Sequence, residues 1–371
     1  MNVNQRSGGL DFIKVLATIG IFFHHYQQVF NVTFTNHINF FHGLIYWGYL
    51  VELFFIISGF VMVRYIPIIF NGEISFDTWF APRIRRILPM LAVSVIAYEI
   101  FYLIYIYIYD QVPFGMRNDI SVWSVFISSL GLQAGSVFSR TNINNPLWYL
   151  GVLMVCYIVF YITCTLSARL SIKTYYLFVL MVFVGLGIQE YCIIFPFFNE
   201  DTARGYIAFF TGVLLSLYIK NYGVTKAECL ISTATLALFA LFLVIRPSVV
   251  TTKLQYVLTF MVFPSIVFLM ESPGAKKLFR HKFWAKWSAV SFNVYIWHTP
   301  FFIALEVFRH LSGMGFEYGK LSTMYIALVI VQLFAVFSHR FIEIPLDKAV
   351  MCISQRLNAR KQMFLRNIQA D

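Results

Sequence analysis

The chain has 371 residues, a formal net charge of +11, 59% hydrophobic residues and only 12% charged ones. Soluble domains carry about 25% charged residues. A chain this long and this poor in charge, with a mean hydropathy of +0.72, cannot clothe a water-facing surface, so lipid must be its main solvent. The positive charge therefore reads as anchoring beside anionic lipid, not as nucleic-acid binding.

A helix needs about 20 apolar residues to cross the hydrocarbon core. The first such run, 10–30, reads as a retained helix and not a removable leader. Only Arg6 precedes it, and its apolar stretch ends in His24, His25, Tyr26, Gln27 and Gln28 instead of a small-residue cleavage site. Lys14 and His25 are eleven residues apart, which sets them on one helical face about 16 Å apart, with His24 turned about 80° away. Two readings of that face stand. A cation and an imidazole there suit an anionic ligand and proton or acyl transfer. Equally, Lys14 snorkels to the interface and His25 is a hydrogen-bonded core residue.

The second run, 42–63, contains Glu52, a buried carboxylate that needs a partner; His25 or a basic residue elsewhere in the bundle would serve. Ser58 and Gly59 in the same run read as small residues for close helix packing, since no strand precedes them to make a nucleophile elbow. Arg83, Arg85 and Arg86 stand just ahead of the third run, 88–109, with Pro89 following. They either satisfy the positive-inside bias or clamp phosphates. The third run also contains Glu99. The stretch 121–138 is apolar but short and rich in Ser and Gly, which suits a re-entrant or interfacial segment. Further runs follow at 147–166, opened by Trp148, and at 174–195, 204–220, 228–245 and 254–271. The ninth, 289–308, holds Tyr295, Trp297, His298, Pro300 and Glu306. The tenth, 321–343, ends in His339, Arg340 and Glu343 before Pro345, with Glu343 expected to pair with a nearby cation such as Arg340.

Charge placement supports ten helices with both termini in the cytoplasm. Alternating from Arg6 inside, the inside segments hold nearly three times as many Lys and Arg residues as the outside ones, as the positive-inside rule demands. The outside set is Arg117, Arg140, Arg204, Arg246, Lys253, Arg309 and Lys320. The expected fold is thus an all-α, polytopic membrane helix bundle forming one domain over 1–371, with a basic cytoplasmic tail at 347–371. Cys156, Cys164, Cys192, Cys229 and Cys352 show no paired spacing. His37 and His42 lack a third ligand, so no metal site is expected.

Taken together, these motifs resemble the acyltransferase family 3 of bacterial membrane proteins. The resemblance rests on Lys14-x10-His25 and on the Phe54–Phe60 run containing Ser58, with Glu52 before it. It rests also on Arg83-x-x-Arg86 ahead of Pro89, Trp148 opening a middle helix, Tyr295-x-x-His298-x-Pro300, and Glu343-x-Pro345. Lys14 stands where the family more often has Arg, and Leu153 and Met154 stand where many members are acidic.

The resemblance implies transfer of an acyl group, usually acetyl, from cytoplasmic acyl-CoA to a hydroxyl of a surface or lipid-linked carbohydrate, in a bacterial plasma membrane. Acyl-CoA would be a co-substrate, with no bound cofactor. Arg83, Arg86 and Lys14 would hold the CoA phosphates. His25 would act as base or acyl carrier, and Glu52 would orient it. The rival expectation from the residues is a carbohydrate or proton-coupled transporter, against which the chain shows no internal repeat.

Overall fold

The computed structural model describes residues 7–34, 38–41, 43, 45–110, 121–135, 138, 143–245, 252–280 and 282–356. His37, His42 and the end of the basic tail lie outside these residues. Among the described residues the protein is helical throughout, without a β-strand.

In chain order the helices are α1 (Gly8–Phe30), α2 (Leu50–Met62), α3 (Ile66–Phe70), α4 (Phe76–Tyr109), α5 (Val122–Ser129), α6 (Trp148–Arg169) and α7 (Thr174–Glu190). There follow α8 (Glu200–Tyr222), α9 (Lys226–Ile245), α10 (Thr252–Val257), α11 (Phe263–Glu271), α12 (Pro273–Leu278), α13 (Lys282–Ser312) and α14 (Leu321–Ser338). Two π-turns interrupt regular geometry, Leu258–Val262 between α10 and α11 and His339–Glu343 after α14.

Among the described residues seven segments are long and apolar enough to cross a membrane: Trp47–Phe70, Phe76–Tyr109, Asn145–Arg169, Glu200–Tyr222, Lys226–Ile245, Lys253–Glu271 and Leu321–Arg356. The other three expected runs are helical but differ in kind. α7 has only 17 residues. α1 and α13 have 23 and 31 residues but are diluted by buried polar groups, among them Asp11, His24, Gln27, Asn293, His298 and Glu306. The polarity that lowers their hydropathy is the polarity that builds the site described below.

One expectation changes. The third helix begins at Phe76, not near 88, so Arg83, Arg85 and Arg86 lie on α4 itself, which carries Pro82 and Pro89 inside it. The stretch 121–138 does not span, in keeping with the re-entrant or interfacial reading. α5 has eight residues, and the chain then turns at Gly131, whose φ of 69° is in the left-handed region. Residues up to Arg356 continue the last helix, so the segment from 347 begins as helix.

The closest helix pair is α2 with α8. A side chain at Gly59 would collide with the Phe209 carbonyl, and one at Gly212 with the Ile56 carbonyl. The small-residue reading of the Ser58-Gly59 step therefore holds: it lets two backbones touch. α1 packs along α13, and that packing places the chemistry.

Candidate active site

α1 and α13 bring two histidines together that are 273 residues apart in sequence. His25 Nδ1 lies 3.0 Å from His298 Nε2, and the rings stack with centroids 4.9 Å apart. The other nitrogen of His298, Nδ1, lies 2.7 Å from the Tyr295 carbonyl oxygen. A carbonyl only accepts, so His298 Nδ1 carries a proton and donates. With one proton on each ring, His298 Nε2 is then an acceptor, and His25 must donate to it from Nδ1. His25 Nε2 then has no hydrogen-bond partner among the described residues, and its lone pair is available. The network thus assigns tautomers that make His25 Nε2 the basic atom.

The turn that carries His298 is fixed by the proline two residues on. Pro300 has no N–H to bond the carbonyl of Ile296. Asn144 Nδ2 donates to that carbonyl at 3.2 Å instead. The Thr299 hydroxyl donates to Asn144 Oδ1, and the Tyr295 hydroxyl donates to the Pro146 carbonyl. The loop before α6 therefore satisfies the backbone that Pro300 leaves open and locks residues 295–299 in place.

His24 points away, as its helical angle predicts. It donates to the Phe40 carbonyl at 3.2 Å, and Gln27 accepts from the backbone of Phe40 at 2.6 Å and Phe41 at 3.1 Å. This face of α1 anchors the following loop. Lys14 is half-buried lower on α1.

Glu52 is 1% exposed, and its partner is not His25. Arg204 grips it through Nε at 2.6 Å and Nη2 at 3.1 Å, and Gln255 donates to it at 2.8 Å. Arg204 also lies over the Trp148 ring, 4.8 Å from its centroid. His25 instead meets His298, and Glu52 ties α2, α8 and α10 together. The apolar run that starts at 204 places Arg204 in an outer loop, but the helix itself starts at Glu200, behind a reciprocal cap between Asn199 and Thr202. That Asn-x-x-Thr signal, followed by acidic Glu200 and Asp201, is the clue the sequence offers.

Glu343 likewise takes a different partner from the one expected. Arg86 Nε donates to it at 2.9 Å, Asn293 Nδ2 at 2.7 Å, and His339 Nδ1 lies 2.5 Å away. Arg340 lies over Phe341 instead. Asn293 accepts from the Ser338 hydroxyl at 2.8 Å, which accepts from Trp297 Nε1 at 2.7 Å. Arg86 is thus part of a polar lock joining α4, α13 and α14. Asn293 and Ser338, both fully buried, carry no sequence signal of their own.

Arg83 is placed differently. Its guanidinium sits 4.0 Å from the Trp79 ring centroid, 4.8 Å from Tyr65 and 5.3 Å from Tyr157. Between it and the histidines runs a file of aromatic and hydroxyl groups. Tyr149 is two turns from Tyr157 on α6, about 12 Å along the axis. Ser58 Oγ lies 3.4 Å from the Tyr149 hydroxyl. The Tyr149 and Tyr295 rings are 5.5 Å apart, and Tyr295 adjoins His298. Arg86 lies over Phe292 of α13, 5.2 Å away. Counting helical rise from that contact, Arg83 and His298 are separated by about 14 Å along the bundle.

Two further carboxylates flank this assembly. Glu306 is held by Arg309 at 2.6 and 3.1 Å and by the Tyr318 hydroxyl. Both oxygens of Glu99 are buried without a hydrogen-bond partner among the described residues. Leu153 and Met154 are core residues of α6. Among the described residues no three His, Cys, Asp or Glu side chains form a metal-binding group.

The family model for an acyltransferase domain, that of the acyltransferase 3 family, matches residues 7–339, nearly the whole chain. No curated protein and no solved structure matches.

Proposed function

Because the chain belongs to the acyltransferase 3 family, we propose that it moves an acyl group, acetyl in the simplest case, from acyl-CoA to a hydroxyl of a surface or lipid-linked carbohydrate. It acts as a ten-span protein of a bacterial plasma membrane, with both termini in the cytoplasm. The observation that carries this reading is the His25–His298 pair, whose tautomers leave His25 Nε2 basic.

In this mechanism the donor's phosphates stay at the arginine end of α4. Its thioester reaches His25 along the path of Tyr157, Ser58, Tyr149 and Tyr295. His25 Nε2 removes the proton of the acceptor hydroxyl as its oxygen attacks the thioester carbonyl. The resulting imidazolium keeps its Nδ1–H on His298 Nε2. Collapse of the tetrahedral adduct breaks the carbon–sulfur bond, and the proton on His25 Nε2 passes to the departing sulfur. The products are the ester and free CoA, with His25 restored. A positioned general base contributes about 10²–10⁴ in rate.

The test uses membranes containing wild type or His25→Ala, labelled acetyl-CoA and a surface-glycan extract. Label in the glycan with wild type, reduced at least a hundredfold in the folded variant, is the expected result. Equal transfer by both proteins removes His25 from the mechanism. The absence of transfer by wild type over a range of donors and acceptors favours carbohydrate transport instead.

A further inference from the structure

Four arginines of the bundle each hold a carboxylate: Arg85 with Asp347, Arg86 with Glu343, Arg204 with Glu52 and Arg309 with Glu306. Arg83 and Arg64 hold none among the described residues. Arg83 is half-buried and lies against Trp79, Tyr65 and Tyr157, with Nη1 donating to the Trp79 carbonyl and Nη2 3.4 Å from Met62 Sδ. Arg64 is exposed, lies 4.9 Å from the same Tyr65 ring and donates from Nη2 to its hydroxyl at 3.3 Å. Two guanidinium groups therefore converge on one tyrosine. Aromatic faces position a cation without neutralising it, so the positive charge of both groups remains uncompensated within the described protein. Such a pair of planar forks suits phosphate oxygens.

The sequence spacing joins Arg83 with Arg86, but the structure separates them. Arg86 directs its Nε to Glu343 inside the α4–α13–α14 lock, whereas Arg83 faces the end of α2. We propose that Arg64, with Arg83, binds the phosphate groups of the acyl-CoA donor and so selects CoA thioesters over shorter thioesters, while Arg86 holds the fold. Arg64 lies in the short turn Val63–Tyr65, six residues beyond Ser58 on the same continuous helical segment, at the end of the path from His25. This assignment rests on the acyl-transfer reading above.

The experiment places the full chain in phosphatidylcholine nanodiscs and compares acetyl-CoA, acetyl-dephospho-CoA and acetyl-pantetheine as donors for wild type, Arg64→Gln, Arg83→Gln and Arg86→Gln. Removing one charge-assisted hydrogen bond to the donor raises KM for acetyl-CoA by about 10-fold or more. Arg64→Gln is expected to show that rise with kcat nearly constant. With acetyl-pantetheine, which has no phosphate, Arg64→Gln and wild type should converge. Arg86→Gln should lower thermal stability while keeping the wild-type ratio of KM values among the three donors.

An equal effect of Arg64→Gln on acetyl-CoA and acetyl-pantetheine, or no effect on either, overturns the assignment. Absence of the Arg64 effect in nanodiscs free of anionic lipid, with its return when phosphatidylglycerol is added, overturns it in favour of a lipid headgroup phosphate. Inactivity of wild type with every donor overturns the acyl-transfer reading itself, which the other outcomes leave standing.

Discussion

Replacing His298 isolates the contact on which the mechanism depends. In the resting pair His25 Nδ1 donates to His298 Nε2 across 3.0 Å. When His25 takes a proton, that bond becomes charge-assisted. Hydrogen bonds to charged groups contribute about 1.5–3 kcal/mol, and about 1.4 kcal/mol corresponds to tenfold. His298→Leu removes the acceptor and is expected to lower kcat roughly 10- to 150-fold. His298→Gln offers a carbonyl oxygen at similar reach, and its kcat is expected to stay within about tenfold of wild type. KM for acetyl-CoA should be unchanged in both, because His298 is about 14 Å along the bundle from Arg83. The assay is initial-rate transfer of labelled acetyl in membranes, with the melting temperature of the solubilised protein confirming that each variant is folded. Wild-type kcat in His298→Leu, or an equal fall in both variants, would refute the tautomer argument.

Two other outcomes follow from the packing. Arg204→Met leaves the carboxylate of Glu52 buried without its cation. It should destabilise the solubilised protein by about 3–5 kcal/mol, and the double variant Glu52→Leu/Arg204→Met should recover much of that stability. A melting temperature unaffected by the single change would show that the pair does not hold α2 to α8. For topology, Cys192 and Cys352 are both exposed and fall on opposite sides of a ten-span chain. An impermeant maleimide should label Cys192 in intact cells and Cys352 only after permeabilisation. Labelling of both in intact cells would refute the ten-span arrangement.

The helices are legible in the sequence because lipid makes apolar length the dominant constraint, and each of the ten apolar runs contains a helix among the described residues. Their ends are less so. Pro82, Pro89 and three arginines make the first turns of α4 look like a loop, although the helix runs through them. At the site, the shared face of Lys14 and His25 follows from helical geometry alone. The partners do not, because an ion pair such as Glu52–Arg204, 152 residues apart, leaves no periodic trace in one sequence. His298 is visible as a motif position, yet its contact with His25 depends on which faces α1 and α13 turn to each other. Arg64 reads only as a positive charge on the inner side, since its role depends on a ring it shares with Arg83.

The wide turn His339–Glu343 makes this chain unevenly tolerant of deletions. Deleting one residue inside a regular α-helix rotates everything beyond it by about 100°. A π-turn already holds one residue more than the α-turn it replaces. Removing Arg340 would let that turn close into ordinary helix, and the segment Leu321–Arg356 would keep its direction, length and apolar profile. Within the shortened turn Phe341, Ile342 and Glu343 would change their angles, and Glu343 would be displaced from Arg86, Asn293 and His339. A homologue shortened by one residue here would therefore pass for intact in any hydropathy comparison while lacking the lock that joins α4, α13 and α14.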